Sequence, residues 1–185
     1  MILRLFTFLI PCIHYLFSLS PASAFMQPTP ELRSRGNIVR RSLTVNILLV
    51  GKKNGAEQYI VDGCAEYEKR LSTSMNIFTT FLKTDKDLVE KANSLRGCVF
   101  ALDENGKEYT SRDFSKAVYD GFEEGGSHIG FIIGGFSGLP IQVKNNFRLI
   151  SLSKMTFTHQ FARLLLLEQI YRAAEIHKGS GYHKD

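Results

Sequence analysis

The chain has no tryptophan, only five prolines and three cysteines among its 185 residues, and no low-complexity tract or internal repeat. Cys12, Cys64 and Cys98 show neither CxxC spacing nor histidine clustering, which argues against a zinc site and against a disulfide framework. Cys64 and Cys98 sit in apolar segments and are expected to be buried thiols. A strongly basic body is missing too. The formal net charge is +5, but residues 1–42 hold five Arg against one Glu, leaving 18 basic and 17 acidic side chains for the rest. A processed domain is therefore nearly neutral, and bulk charge alone assigns it no polyanionic partner. A polarity survives: Lys144 to Asp185 carries seven basic and three acidic residues, whereas Glu57 to Glu124 carries fourteen acidic and nine basic. An anionic partner would contact the C-terminal third.

An apolar run able to span a bilayer is also lacking. Met1 to Leu19 is apolar after Arg4, but Pro11 and His14 interrupt it, and Ala22-Ser23-Ala24 follows. A short charged region, an apolar region and an A-x-A site make residues 1–24 a signal peptide, with no stable membrane association of the mature chain. Residues 25–42, FMQPTPELRSRGNIVRRS, are rich in Arg and hydroxyl residues, as transit peptides are. Ala22-Ser23-Ala24-Phe25 resembles the junction of bipartite plastid-targeting leaders, so a plastid is the expected destination and a mitochondrion the alternative. Secretion would expose a protein without a disulfide pattern to an oxidising space.

The expected globular domain is residues 43–185. Leu43 to Val50 (LTVNILLV) is a buried strand by its β-branched apolar run, and Ala56 to Leu71 has helical spacing. Met75 to Leu82 is expected as a strand, Asp85 to Leu95 as a helix and Cys98 to Leu102 as a strand. Asp103-Glu104-Asn105-Gly106 has the composition of a turn. Thr110 with Asp113 opens a helix through Phe122 as a variant capping box. Ile129 to Ile133 and Leu149 to Leu152 are further strands, Ile141 to Phe147 is a short helix, and Thr158 to His177 is the longest helix. This alternation predicts an α/β fold, a mostly parallel sheet with helices on both faces. Ligands in such sheets bind at the carboxyl ends of the strands. Leu102-Asp103, Gly134-Gly135 and Ser153-Lys154 occupy three such ends.

Gly134-Gly135-Phe136-Ser137-Gly138 is either a tight turn or a place where a ligand approaches the backbone. It has neither the GxGxxG spacing of a dinucleotide fingerprint nor the frame of a nucleophile elbow. Ser151 to Thr158 (SLSKMTFT) presents hydroxyls, a lysine and a helix N-terminus, which suits a polar or anionic group and serves equally as an N-capping loop. The last helix is apolar almost all round, which suggests that a second chain covers part of it. Glu168 and Arg172 are spaced to pair on its surface. The tail, GSGYHKD, is either frayed or a flap that stacks on a base and contacts phosphate.

With LDENGKEYTSRDF, FIIGGFSGL, SLSKMTFTHQ, LLLLEQIYRA and the terminal YHK in place, the chain resembles the RlmH (YbeA-like) family of SPOUT methyltransferases. The resemblance implies an α/β trefoil knot at the C-terminal part. It also implies S-adenosylmethionine-dependent methylation of N3 of a pseudouridine in large-subunit ribosomal RNA, with free RNA or the assembled ribosome as substrate. Carried over by position, it implies cofactor contacts at Leu102, Gly134, Leu152, Ser153, Lys154, Met155, Thr156 and Phe157. It further implies a homodimer in which Arg172, Tyr182, His183 and Lys184 contact RNA or act in catalysis. No metal is implied. Thr158 stands where the family often has Pro, and Lys184 where Arg is common. The rival reading is a non-catalytic ribosome-assembly factor that keeps the fold.

Overall fold

The computed structural model describes residues 42–184; the leader expected over 1–42 lies almost wholly outside them. Within them, five strands and five α-helices alternate. The strands are β1 (Leu43–Val50), β2 (Met75–Leu82), β3 (Cys98–Glu108), β4 (His128–Ile133) and β5 (Arg148–Ser151). The helices are α1 (Gln58–Leu71), α2 (Asp85–Asn93), α3 (Ser111–Glu124), α4 (Ile141–Asn146) and α5 (His159–His177). The sheet order is β2-β1-β4-β3-β5 and every pair is parallel.

Both faces of this sheet are covered, which is why its central strands are near-continuous apolar runs. On one face Ile47, Leu49, Phe131 and Ile150 pack with residues of α1, α3 and α5. On the other, Leu48, Ala101 and Ile132 meet Leu88 and Ala92 of α2 and Val143 of α4. Helix starts follow local chemistry. Thr84 and Asp87 form a reciprocal capping box, each side chain accepting the other's backbone N–H at 3.1 Å. At α3 the Thr110 hydroxyl accepts from the Asp113 N–H at 3.1 Å and donates to its carboxylate at 2.7 Å.

One expectation changes. Residues 103–106 do not end β3. Leu102 and Lys107 both register with Ile150, so the four residues between them loop out of the ladder and the strand resumes to Glu108. Gly106 crosses so close to β5 that a Cβ there would lie 2.5 Å from the Ile150 carbonyl carbon. Part of the apolar girth of α5 is met inside the chain, while Phe161, Leu164, Leu165, Tyr171 and Ile176 stay only partly buried. The helix packs between α1 and α3, with Leu164 against Gly63 and the Ser115 hydroxyl donating to the Ala173 carbonyl at 2.8 Å.

Cys64 is a buried free thiol, and Cys98 is free but only half-buried. Burial pushes the Cys64 thiol up, against the opposing pull of Arg163, whose Nε lies 3.2 Å from the sulfur. Among the described residues no helix is long and apolar enough to cross a membrane.

Candidate active site

Because β4, β3 and β5 are parallel neighbours, their carboxyl ends lie side by side, and the loops that follow enclose a cleft of about 350 Å3. That volume lies within the roughly 300–1,000 Å3 of small-molecule sites. Leu102 lines it from β3, Gly134 from the end of β4, and Leu152, Ser153, Met155, Thr156 and Phe157 from the β5–α5 loop. The structure thus joins three segments that are far apart in sequence. Lys154 is the exception. The Ser153 hydroxyl accepts the Met155 N–H at 3.0 Å, and this local turn leaves Lys154 exposed and off the cleft wall. The loop ends at Thr158, whose hydroxyl caps α5 by accepting the Phe161 N–H at 3.3 Å.

The glycine turn serves itself before it serves a ligand. A Cβ on Gly134 would lie 2.3 Å from the Gly138 carbonyl oxygen and 2.7 Å from the Leu139 nitrogen. Gly138 has φ +78 and donates its N–H to the Gly135 oxygen at 3.1 Å. The small residue at 134 is therefore required by the fold of the turn, and its open side becomes a cleft wall.

Besides Asp103 at its strand end, the cleft holds three ionisable residues that the sequence does not single out as functional groups: Glu104, Lys144 and His159. The Asp103 side chain is 7% exposed, paired with Lys144 Nζ at 2.8 Å, and accepts the Asn105 N–H at 3.0 Å. Burial pushes its carboxyl up, but the Lys144 ammonium and the Asn105 donors together hold it below the usual carboxylate range. Because the folded value is the lower one, the pair stabilises the fold above the unfolded value of ~3.9, and that contribution is lost as pH falls through the folded value. Asp103→Asn is expected to lower the melting temperature at pH 7 and to narrow the difference between pH 7 and pH 3. An unchanged difference in thermal melts at the two pH values would contradict this. Glu104 accepts from the Thr156 hydroxyl at 3.3 Å across the cleft and has no ion-pair partner among the described residues. His159, in the first turn of α5, reaches the end of β1, where a Cβ on Gly51 would meet its Nε2 at 3.0 Å.

The second set of candidates gathers elsewhere. Ala162 lines the cleft, and Arg172 lies ten residues further along the same helix, roughly 15 Å at 1.5 Å per residue. There the tail is docked rather than frayed. Glu168 accepts from Arg172 Nη2 at 2.6 Å and from the Tyr182 hydroxyl at 3.3 Å. The Tyr182 ring meets Tyr171 edge to face at 4.9 Å, with the Arg172 guanidinium 5.1 Å from its centre. Arg172 Nη1 lies 3.5 Å from His183 Nδ1. Burial, and then the neighbouring Glu168 carboxylate, push the Tyr182 phenol up, so it stays a protonated donor at neutral pH. Lys184 is exposed beside this cluster.

The family model described as predicted SPOUT methyltransferase matches residues 43–183, nearly the whole described domain. The chain belongs to the SPOUT methyltransferase family. Its relatives include the ribosomal RNA large subunit methyltransferase H of Protochlamydia amoebophila, 42% identical over 77% of this chain and 99% of that one. The protein of the same name from Streptococcus uberis is 39% identical over 77% of this chain and all of that one. Among solved structures, a probable methylase family protein from Haemophilus influenzae superposes with a TM-score of 0.49 at 8% identity, over 77% of this chain and 70% of that one. As a member of the SPOUT methyltransferases, the chain has its cleft where its parallel strands end and a second polar cluster further along the last helix.

Proposed function

We propose that this SPOUT methyltransferase transfers a methyl group from S-adenosylmethionine to N3 of a pseudouridine in large-subunit ribosomal RNA, working as a homodimer. The observation that carries the reading is the convergence of Leu102, Gly134 and the 152–157 loop on one cleft. Close similarity over their full length to relatives named for methylation of large-subunit ribosomal RNA supports it.

The donor set suits the cofactor. Leu102, Ile133, Leu152 and Phe157 offer apolar walls for a flat base, and Thr156 and Ser153 offer hydroxyls. Glu104 offers a carboxylate without a cationic partner to a cationic ligand. When bound, S-adenosylmethionine supplies an electrophilic methyl carbon on a sulfonium. The remaining chemistry falls to the chain. An imide N3–H is a weak acid, so a base must take its proton as the nitrogen attacks, and His183 is the side chain assigned to it. Arg172 Nη1 lies 3.5 Å from His183 Nδ1, which sets the guanidinium beside the imidazole. In the reaction His183 accepts the proton while Arg172 turns toward an RNA phosphate, and Tyr182 and Lys184 hold the RNA beside it.

The cleft and the tail lie apart along α5, so one chain does not bring His183 to its own cofactor. A second copy whose tail reaches across completes the site, which is why a homodimer belongs to the reading. The leader motif supports delivery to a plastid, with a mitochondrion as the alternative. The test is to incubate the protein with labelled S-adenosylmethionine and large ribosomal subunits that lack the modification, then map the labelled base. One methyl group on N3 of a single pseudouridine is expected; label absent from the RNA would refute the reading.

A further inference from the structure

Beside the docked tail, on a helix that no step above uses, Arg70 of α1 is 5.6 Å from the ring centres of both Tyr67 and Tyr171. Tyr67 and Tyr171 are 5.9 Å apart, and Tyr171 in turn meets Tyr182. Three rings and two guanidinium groups therefore form one continuous surface from α1 to the tail. The Arg70 side chain is 43% exposed, and Glu66 engages only its Nε, at 2.8 Å. Both terminal Nη groups, the fork that recognises phosphate bidentately, have no hydrogen-bond partner among the described residues.

Aromatic faces interleaved with arginine forks match RNA, because each nucleotide presents a base to stack and a phosphate to pair. A carboxylate ligand would use the fork but has no need of the rings. We propose that Tyr67, Arg70 and Tyr171 form a subsite for one nucleotide flanking the target residue, the phosphate on the Arg70 fork and the base against the tyrosine rings. The subsite rests on the ribosomal RNA reading above. It extends the RNA-contacting surface from the tail onto α1.

The test measures kcat and KM of the full-length protein for unmodified large ribosomal subunits over a series of salt concentrations. Arg70→Ala is expected to raise KM about 5- to 10-fold and to reduce the slope of log KM against log salt by about 0.7–1, as loss of one phosphate contact should. The turnover number, cofactor affinity, melting temperature and oligomeric state are expected to match wild type. Arg70→Lys, which keeps the charge without the fork, should fall between the two. Tyr67→Leu, which removes stacking and keeps packing bulk, should raise KM about fivefold or more and leave the salt slope unchanged. Wild-type KM and salt slope in Arg70→Ala would overturn the subsite, as would a KM effect accompanied by loss of the dimer. Failure of the wild-type protein to methylate the subunits would instead refute the parent reading.

Discussion

Replacing His183 with alanine is expected to lower methylation of large ribosomal subunits by about 100-fold or more, the usual range for a positioned general base. The cofactor should bind with unchanged affinity, because His183 sits against Arg172 on the far stretch of α5 and contributes nothing to the cleft wall. The split is informative. A residue that merely shaped the fold would lower the melting temperature and cofactor affinity together, whereas a base lowers kcat alone. Single-turnover assays with saturating cofactor, paired with calorimetric titration of S-adenosylmethionine, separate these cases. Turnover equal to wild type would remove His183 from the mechanism and shift attention to Tyr182 or Arg172.

The second large effect is expected from Gly134→Val, and its cause is mechanical. The added Cβ would lie 2.3 Å from the Gly138 oxygen and 2.4 Å from the Gly138 carbon, both backbone atoms with no freedom to rotate away. The turn over residues 134–139 must open, and its displaced backbone enters the space between Leu102 and the 152–157 loop. No measurable heat of S-adenosylmethionine binding is expected, with methylation lost and the melting temperature lowered by several degrees. Circular dichroism should still report the α/β fold, since the sheet core lies beneath the turn. Normal calorimetric affinity would exclude Gly134 from the cleft wall.

Local signals carried much of this fold. β2 matches the expected strand, Met75–Leu82, and the three strand ends singled out from their composition do meet, because β4, β3 and β5 are neighbours in a parallel sheet. What was illegible depended on distant partners. Asp103 to Gly106 have turn composition, and only their pairing with β5, more than forty residues later, shows a looped-out segment inside a strand. The ion pair of Asp103 with Lys144 joins a strand end to a short helix and leaves no periodic trace. How much of α5 its own chain covers was likewise illegible: Gly63 on α1 lets Leu164 approach, while Phe161, Leu165 and Tyr171 stay partly exposed. The tail has the glycines of a frayed terminus, yet Glu168, fourteen residues earlier, fastens it. Position in a loop does not reveal the direction of a side chain, and Lys154 is exposed where its neighbours line the cleft.

An active site built from the cleft of one chain and the tail of another can be reassembled from two defective chains. Gly134→Val chains have an impaired cleft and an intact tail; His183→Ala chains have the reverse. Each variant alone is expected to be nearly inactive on unmodified large ribosomal subunits. Co-expressed and purified as a mixed dimer through two different affinity tags, they should recover a substantial part of wild-type methylation, because one of the two sites then pairs a sound cleft with a sound tail. A mixed dimer no more active than its parents would contradict the account.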